Sequence, residues 1–325
     1  MSYSISRRGW FASLKATLAG AALAGPAASQ TPQYVDPRRV FLGENTRKEF
    51  REAVEGGRIK AAIIPTGSTE QHNEHLSLDC DTTCATLIAQ QAALRLYPAV
   101  TVSTACPLGY APYHMARKGT ITLRKETFKA YVYDVIQSLV THGIRTILVV
   151  NGHFGNHTPL SETIPEWRKE FGITLDTETY LSAFKDDDLA GFLTSYRLLK
   201  DGKLDTIARR TAMTHASEIE TSILMAAHPE RVRAFTMEEY DRAEQNHESG
   251  FSPGVARYLE PFTKEGWPKG SNPENARDRA RQEQALYATK EKGERLITVA
   301  TGYIAGRVQQ MVDATGKGTP WPPKA

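Results

Sequence analysis

Four short segments of the chain carry side chains of the types that bind divalent metal ions. They are Glu70-Gln71-His72, Asp79-Cys80-Asp81, Asn151-Gly152-His153 and His215-Ala216-Ser217-Glu218. Imidazole nitrogens and carboxylate oxygens are the ligands that hydrolytic Zn²⁺ and Mn²⁺ centres use. Because all four segments fall at predicted strand ends or helix starts, the sequence predicts a metallohydrolase.

Each of these residues also has an ordinary structural interpretation. A single loop histidine such as His72 or His153 is more often hydrogen-bonded than metal-bound. Asp81 fits the N-cap of a helix, and Glu218 and Glu220 suit the first turn of a helix, where the dipole favours acidic side chains. Only the joint placement of the residues favours a metal site.

Strand-like and helix-like segments alternate along the chain and predict how these residues are positioned. Residues 59–66, 99–104 and 146–150 are apolar runs typical of buried strands, whereas 82–97 and 125–142 have helical spacing. Repeated βα units of this kind favour an α/β fold with a mainly parallel sheet and helices on both faces.

In such sheets, ligand sites lie at the carboxyl ends of the strands. Residues two apart in an extended segment point the same way, so we expect Glu70 and His72 to share a cavity while Gln71 turns aside. Asp81 follows shortly before a predicted helix and could bridge two metals through its two oxygens.

The fourth segment is predicted to begin a helix at about Thr214. His215 and Glu218 would then lie on one face, and Glu220 would be rotated roughly 140° away from His215. We therefore expect Glu218 to be the ligand and Glu220 to be a supporting carboxylate.

Composition excludes several classes of protein. The 325 residues carry a formal charge of +3, which Arg7, Arg8 and Lys15 account for, so nothing argues for nucleic acid or for an anionic membrane surface as a partner. The three cysteines do not suggest a disulfide framework. Cys80 is expected to be a small buried residue, with thiolate ligation as the alternative.

Residues 1–30 resemble a twin-arginine export signal. A basic region around Arg7-Arg8 precedes the weakly apolar stretch 16–24, and small residues follow up to Ser29. The alternative is an amphipathic N-terminus, whereas the apolar stretch is too short for a stable membrane anchor, which needs about 20 residues. We expect export of the folded protein to the periplasm or beyond.

Five longer motifs resemble the creatininase (creatinine amidohydrolase) family. They are residues 65–72 with 76–81, residues 119–124, residues 151–156, residues 215–222 and residues 288–293. The likeness extends from about residue 40 to 312, and the combination is far more specific than any one motif. We expect a signal at 1–30, an extension at 31–44, the hydrolase domain at 45–312 and a tail at 313–325.

The resemblance implies a three-layer α/β/α sandwich, usually assembled as a homohexamer, with two metal ions per subunit. Zn²⁺ or Mn²⁺ is expected, and Fe²⁺ is the alternative. One metal would be held by Glu70, Asp81 and His153, and the other by His72 and the same Asp81. Creatininase has a further glutamate ligand where this chain has Gly155. Relatives with glycine there carry a glutamate at the position of Glu218, which is the predicted fifth ligand.

The family hydrolyses amide C–N bonds with a metal-activated water, so a small-molecule amide is the expected substrate. His215 matches the catalytic histidine, which would protonate the leaving amine. Thr211 and Thr214 replace pocket residues of creatininase, so a cyclic amide, lactam or formamide is favoured over creatinine. His114, Tyr113, Asn151 and Glu220 are candidates for contact with the substrate or with the ligands.

Other functions remain as alternatives. A peptidase or lactonase of the same family would use the same centre on a different bond. A catalytically inactive binding or scaffold protein would have no reason to keep the ligand set. A redox metalloprotein would favour thiolate or thioether ligands, whereas this set contains oxygen and nitrogen.

Overall fold

The computed structural model describes residues 36–115, 117–184, 191–201, 215–245 and 276–322. The predicted export signal and residues Thr211 and Thr214 lie outside these ranges. The described strands are β1 Ala61–Thr66, β2 Val100–Val102, β3 Thr146–Asn151 and β4 Thr174–Thr179. The described α-helices are α1 Arg47–Glu55, α2 Cys80–Arg95, α3 Lys125–Thr141, α4 His157–Phe171, α5 Thr194–Lys200, α6 Glu218–Ala227, α7 Met237–Gln245, α8 Ala276–Ala285 and α9 Lys290–Lys317.

The described strands form one parallel sheet in the order β2-β1-β3-β4. β1 lies inside the sheet, because Ile63 is in register with Val102 of β2 and with Leu148 of β3. β3 in turn pairs with β4 along its whole length. Since all strands run the same way, their carboxyl ends meet at one edge of the sheet.

Both faces of the sheet are buried by helices. Ala61 and Ile63 of β1 belong to a core formed with α2, α6 and α9, whereas Ala62 and Ile64 belong to a second core formed with α3 and α4. Successive residues of a strand point to opposite faces, so this division places one helical layer on each side. The predicted three-layer α/β/α sandwich is confirmed.

Two helix starts differ from the sequence expectation by a few residues. α2 begins at Cys80 rather than Thr82, so Asp81 lies inside the first turn. α6 begins at Glu218 rather than near Thr214, because Ala216 adopts a positive φ of 54° and Ser217 takes the N-cap position. Both starts lie at the site described next.

A search of the described residues for membrane-spanning segments found no helix with the length and apolar character that crossing a membrane requires.

Candidate metal centre

The first donors come from the loop that joins β1 to α2. Glu70 is held by its backbone N–H, which donates to the carbonyl of Leu78 at 2.8 Å. Two residues later His72 is completely buried, and Asn73 then turns the chain with a φ of 53°. The loop therefore buries Glu70 and His72 at the carboxyl edge of the sheet.

Asp81 enters from the start of α2, which touches the end of β3. A Cβ atom on Gly152 would lie 2.2 Å from the backbone oxygen of Asp81, so only glycine allows this approach. His153 follows Gly152 directly. The close contact thus brings a donor of α2 beside a donor that follows β3.

His72 offers one nitrogen to this cluster. Its Nδ1 lies 3.2 Å from the backbone carbonyl of Glu70 and donates to it, while Nε2 lies 3.1 Å from Oδ1 of Asp81. A histidine whose one N–H is held by a carbonyl has its other nitrogen oriented as a metal ligand.

His153 has the reverse arrangement. Its Nε2–H donates to the carbonyl of Tyr110 at 3.1 Å. Its Nδ1 lies 3.1 Å from Oε2 of Glu70 and 3.1 Å from Oδ2 of Asp81. The two carboxylate oxygens of Asp81 therefore face two different histidines.

These distances and the state of the carboxylates fit a divalent ion. Two donors bound to one ion at about 2.0–2.2 Å are themselves separated by roughly 3.0–3.5 Å. Both oxygens of Glu70 and Oδ2 of Asp81 are buried, and histidine ring nitrogens of the described part of the chain face them at 3.1–3.3 Å. Since unsatisfied buried charge is costly, converging oxygens of this kind are the expected surroundings of a cation.

Glu220 joins the His72 side of the cluster. Its Oε2 lies 3.8 Å from Nε2 of His72 and accepts the backbone N–H of Ala216 at 2.6 Å. Donor atoms of His72, Cys80 and Glu220 all lie within 4.8 Å of one another, as do those of Glu70, His72 and Asp81. Among the described carboxylates, Glu220 is thus the nearest to Nε2 of His72 after Asp81.

The structure does not bring Glu218, the predicted fifth ligand, to this cluster. Its Oε1 accepts the N–H of Thr194 at 2.9 Å and faces Nζ of Lys292 at 2.5 Å. Its Oε2 accepts the backbone N–H of Ser195 at 2.7 Å. The reason is the later start of α6: residues 215–217 are not helical, so His215 and Glu218 do not share a helix face.

Two further histidines surround the other oxygen of Glu70. Nε2 of His114 and Nδ1 of His215 each lie 3.3 Å from Oε1 of Glu70. The rings of His114 and His215 stack at 4.5 Å, and the ring of His215 lies 4.1 Å from that of His72. The structure therefore brings His215, the predicted catalytic residue, to the edge of the cluster.

The charges of the cluster balance only with bound protons or a cation. Burial disfavours the charged form of His72, but the carboxylates of Asp81, Glu220 and Glu70 outweigh it and raise its pKa to about 10. The pKa of Asp81 is lowered, because His72 and His153 outweigh the effect of burial. Burial raises the pKa of Glu220 to about 7 and also raises that of Glu70. A divalent ion would replace the protons that these shifts describe.

His114 and His215, at the edge of the cluster, have lowered pKa values, whereas that of His72 is raised. Burial, with the nearby charge of His72, lowers the pKa of His215 well below its usual value. Burial and the charge of His153 do the same to the pKa of His114. Both rings are therefore neutral at pH 7.

Cys80 is completely buried beside this half of the centre. Burial, the neighbouring thiol of Cys84 and the carboxylate of Glu220 raise the pKa of Cys80 well above its ordinary value. The thiol is therefore protonated and uncharged when no ion is bound, as expected for a small buried residue.

Asn151 and Tyr113 contact His153 and hold it in position. Asn151 accepts the N–H of His153 at 3.1 Å and donates to its carbonyl at 2.6 Å. The hydroxyl of Tyr113 lies 3.3 Å from Nε2 of His153. A Cβ atom on Gly155 would lie 2.4 Å from that nitrogen, so no side chain fits at this position.

Sequence reasoning missed two supporting residues. Asn156 accepts the backbone N–H of Tyr110 at 2.9 Å and donates to the carbonyl of Gly67 at 2.9 Å, which fixes the carbonyl group that holds His153. Gln71 does not turn aside but lies buried between His114 and His215. The signal for Asn156 was its place in the segment 151–156; for Gln71 it was a polar side chain between two candidate donors.

Comparison with known proteins identifies the relatives of this chain. The family model described as "Creatininase: Creatinine amidohydrolase" matches residues 43–308. The chain belongs to the creatininase family. Members of this family are amidohydrolases.

Individual relatives are distant. The chain is 29% identical over 198 residues to 3-dehydro-scyllo-inosose hydrolase of Thermotoga maritima, covering 60% of this chain and 58% of that protein. It is 25% identical over 285 residues to the creatinine amidohydrolase of Pseudomonas putida, covering 84% of this chain and 97% of that protein. A solved structure described as "Creatininase Mn" superposes with a TM-score of 0.59 at 23% identity, covering 83% and 98% of the two chains, and shows the same fold.

Proposed function

We propose that this creatininase-family protein is a metal-dependent hydrolase that cleaves an amide C–N bond in a small molecule. The observation that carries the proposal is that the two oxygens of Asp81 face different histidines. Oδ1 lies 3.1 Å from Nε2 of His72, and Oδ2 lies 3.1 Å from Nδ1 of His153. A single carboxylate facing two histidines from its two oxygens is suited to hold a pair of divalent ions.

The donor set defines two positions. Glu70, Asp81 and His153 would hold one ion, and His72, Asp81 and Glu220 would hold the other. Oxygen and nitrogen donors of this kind suit Zn²⁺, Mn²⁺ or Fe²⁺. Divalent ions bound there would activate water and polarise the carbonyl group under attack.

His215 is the proposed proton carrier. Its ring is neutral and lies beside His72, with Nδ1 facing Oε1 of Glu70 at 3.3 Å. A neutral imidazole has to accept a proton before it can donate one to the leaving amine. We infer that His215 gains a second proton, on Nε2, only during turnover and passes its Nδ1 proton to the leaving amine, so that the ring is uncharged in the resting protein.

The substrate is proposed to be a cyclic amide, a lactam or a formamide rather than creatinine. The reason is the sequence at Thr211 and Thr214, where creatininase has other side chains. The buried, polar surroundings of Glu70, with His114 on one side and Tyr113 nearby, suit a compact polar molecule.

Two properties of the whole protein are part of the proposal. The Arg7-Arg8 motif supports export by the twin-arginine pathway, and substitution of both arginines by lysine should retain the protein in the cytoplasm on fractionation. The family resemblance supports a homohexamer, and light scattering coupled to size exclusion would give a smaller mass if this is wrong.

The decisive experiment is a hydrolysis screen of the metal-reconstituted protein against lactams, cyclic amides, formamides, short peptides and lactones. Turnover of an amide by the parent protein and its loss in Asp81→Asn support the proposal. Asp79→Asn is the matched control, because Asp79 is a neighbouring acid that bonds Ser77 and Arg231 instead of the cluster. Turnover confined to peptides or lactones, or equal turnover in Asp81→Asn, would contradict the proposal.

A further inference from the structure

Gln71 connects the two histidines that face Glu70. Its Nε2 lies 3.0 Å from Nδ1 of His114 and 3.1 Å from Nε2 of His215. The side chain is buried, and it lies between two proposed metal ligands in the sequence. Its nitrogen has no lone pair to offer a metal, and its oxygen accepts the backbone N–H of Asn73.

The orientation of this amide is fixed by its oxygen. Oε1 of Gln71 accepts the backbone N–H of Asn73 at 2.9 Å. Asn73 presents that N–H because its φ of 53° turns the chain, a conformation that asparagine tolerates well. With the oxygen held there, the two hydrogens on Nε2 point towards the histidines.

The amide hydrogens decide which nitrogen of each ring carries the proton. A nitrogen that accepts a hydrogen bond has its lone pair exposed, so Nδ1 of His114 and Nε2 of His215 are both unprotonated. The hydrogens of the two rings then lie on Nε2 of His114 and on Nδ1 of His215. These are the nitrogens that lie 3.3 Å from Oε1 of Glu70.

The positions of these protons distinguish two groups of donor atoms whose mutual distances are similar. Donor atoms of Glu70, His114 and His215 lie within 4.8 Å of one another, as do those of Glu70, His72 and Asp81. A cation in the first group would meet two N–H groups instead of two lone pairs. In the second group Nδ1 of His72 bonds the carbonyl of Glu70, so Nε2 is the nitrogen that faces the cation and can give up its proton to it.

We propose that Gln71 is a positioning residue that sets the tautomers of His114 and His215, so that both rings hold Glu70 and neither competes for the metal. The inference deepens the proposed function, because it takes Glu70 as a metal ligand. It also explains how His215 stays beside the centre with its proton directed at Glu70.

The direct test is the tautomeric state of the histidines in the zinc-loaded protein. Selective ¹⁵N labelling of histidine and long-range ¹H–¹⁵N correlation distinguish the two neutral forms, and single substitutions of His114 and His215 assign the signals. We expect the Nε2–H form for His114 and the Nδ1–H form for His215. The opposite tautomer, or a protonated ring, at either position would overturn the proposal.

A second test compares two matched variants. Gln71→Met deletes the amide and keeps the length of the side chain, and Gln282→Met deletes another buried amide, which contacts His75 at 3.0 Å. We expect Gln71→Met to lose the single tautomers and to bind zinc about 10- to 100-fold more weakly, as for other residues that orient metal ligands. Gln282→Met should bind zinc like the parent protein.

The outcomes separate this inference from the proposed function. If Gln71→Met keeps both the parent tautomers and the parent zinc affinity, the positioning role is wrong. An equal loss of zinc affinity in both variants would reduce Gln71 to a general packing residue and would also overturn it. If the tautomers and affinities are as expected but the screen finds no amide hydrolysis, the proposed function fails and the role of Gln71 stands.

Discussion

Glu218 and Glu220 are two residues apart and perform different tasks. Glu218 is fully buried against Lys292 and the first residues of α5, which it caps. Glu220 lies with its Oε2 near His72. Two glutamates only two residues apart at the start of α6 therefore differ in role: Glu218 holds helices together, whereas Glu220 faces the metal centre.

Substitution of the two glutamates should separate stability from metal binding. Glu218→Gln leaves the partly buried charge of Lys292 without its carboxylate, bonded to Thr194 and to the carbonyl of Tyr287, so the free energy of unfolding should fall by about 1–3 kcal/mol. Metal content per chain should be unchanged when measured on folded protein. Glu220→Gln should have the reverse effect, with little loss of stability and a lower metal content.

Denaturant titration and elemental analysis of both variants provide the measurements. If Glu218→Gln loses metal while Glu220→Gln keeps it, the assignment of the second position to Glu220 is incorrect.

The affinity for metal should depend on pH because the ion competes with protons. In the metal-free protein His72 has a pKa of about 10, so it is protonated at neutral pH and must lose that proton on binding. Its raised pKa stabilises the metal-free fold below about pH 6.5, and this contribution is lost as the pH rises through 10. Zinc affinity should therefore rise by at least about tenfold per pH unit between pH 6 and 9.

Competition titrations with a zinc chelator across this range would measure the slope. Calorimetry in two buffers with different heats of ionisation would count the released protons. An affinity that stays constant from pH 6 to 9, with no proton release, would contradict the assigned state of His72.

At the scale of elements, the contact between β3 and α2 positions Asp81 beside His153. Gly152 permits this contact, and its replacement by alanine would place a methyl group against the backbone of Asp81. We expect Gly152→Ala to lower the free energy of unfolding by about 1–3 kcal/mol and to weaken metal binding. Thermal or denaturant unfolding and zinc titration would measure the two effects.

Gly306 provides the matched control for this substitution. It lies inside α9, where an added Cβ would meet nothing within 4 Å. Gly306→Ala should therefore stabilise the protein, by about 0.5–1 kcal/mol, and leave metal binding unchanged. A Gly152→Ala protein as stable as the parent would show that the two elements can separate without cost.

The sequence predicts the elements better than their first residues. Apolar runs and helical spacing were enough to predict β1, β3, α2 and α3, because a strand buried on both faces is a continuous apolar run and a helix buried on one side has a helical period. The sequence pattern puts the start of α6 too early, because Ala216 adopts a left-handed conformation that is not expected for alanine. The same applies to Asn73, whose turn directs Gln71 inward instead of aside.

At the scale of the whole molecule, the centre joins parts of the chain that are far apart in sequence. The donors come from the loop after β1, the start of α2, the end of β3 and the start of α6. The family model alone matches residues 43–308, which includes all of these segments. Sequence motifs could therefore indicate the ligand types, whereas the choice between Glu218 and Glu220 required the folded chain.

An ion that binds only the folded chain should raise its stability. At a free metal concentration 100-fold above the dissociation constant, the expected gain is about 2.7 kcal/mol. Chelation should lower the melting temperature of the parent protein, and added Zn²⁺ should restore it. The Asp81→Asn protein should show a metal-independent melting temperature, and equal metal dependence in this variant would argue against the proposed ligands.

Because the donors are spread over four segments of the chain, the stage at which the metal ion can bind is also restricted. No stretch of the nascent polypeptide contains a complete set, so selection of the metal must wait until the layers have assembled. A protein translocated in its native conformation would carry outward the ion that it met during biosynthesis. One threaded through as an extended polypeptide would instead take whichever competitor binds most strongly outside, since affinity order favours Cu²⁺ over Mn²⁺. The compartment of maturation, rather than the pocket, would then determine the native metal.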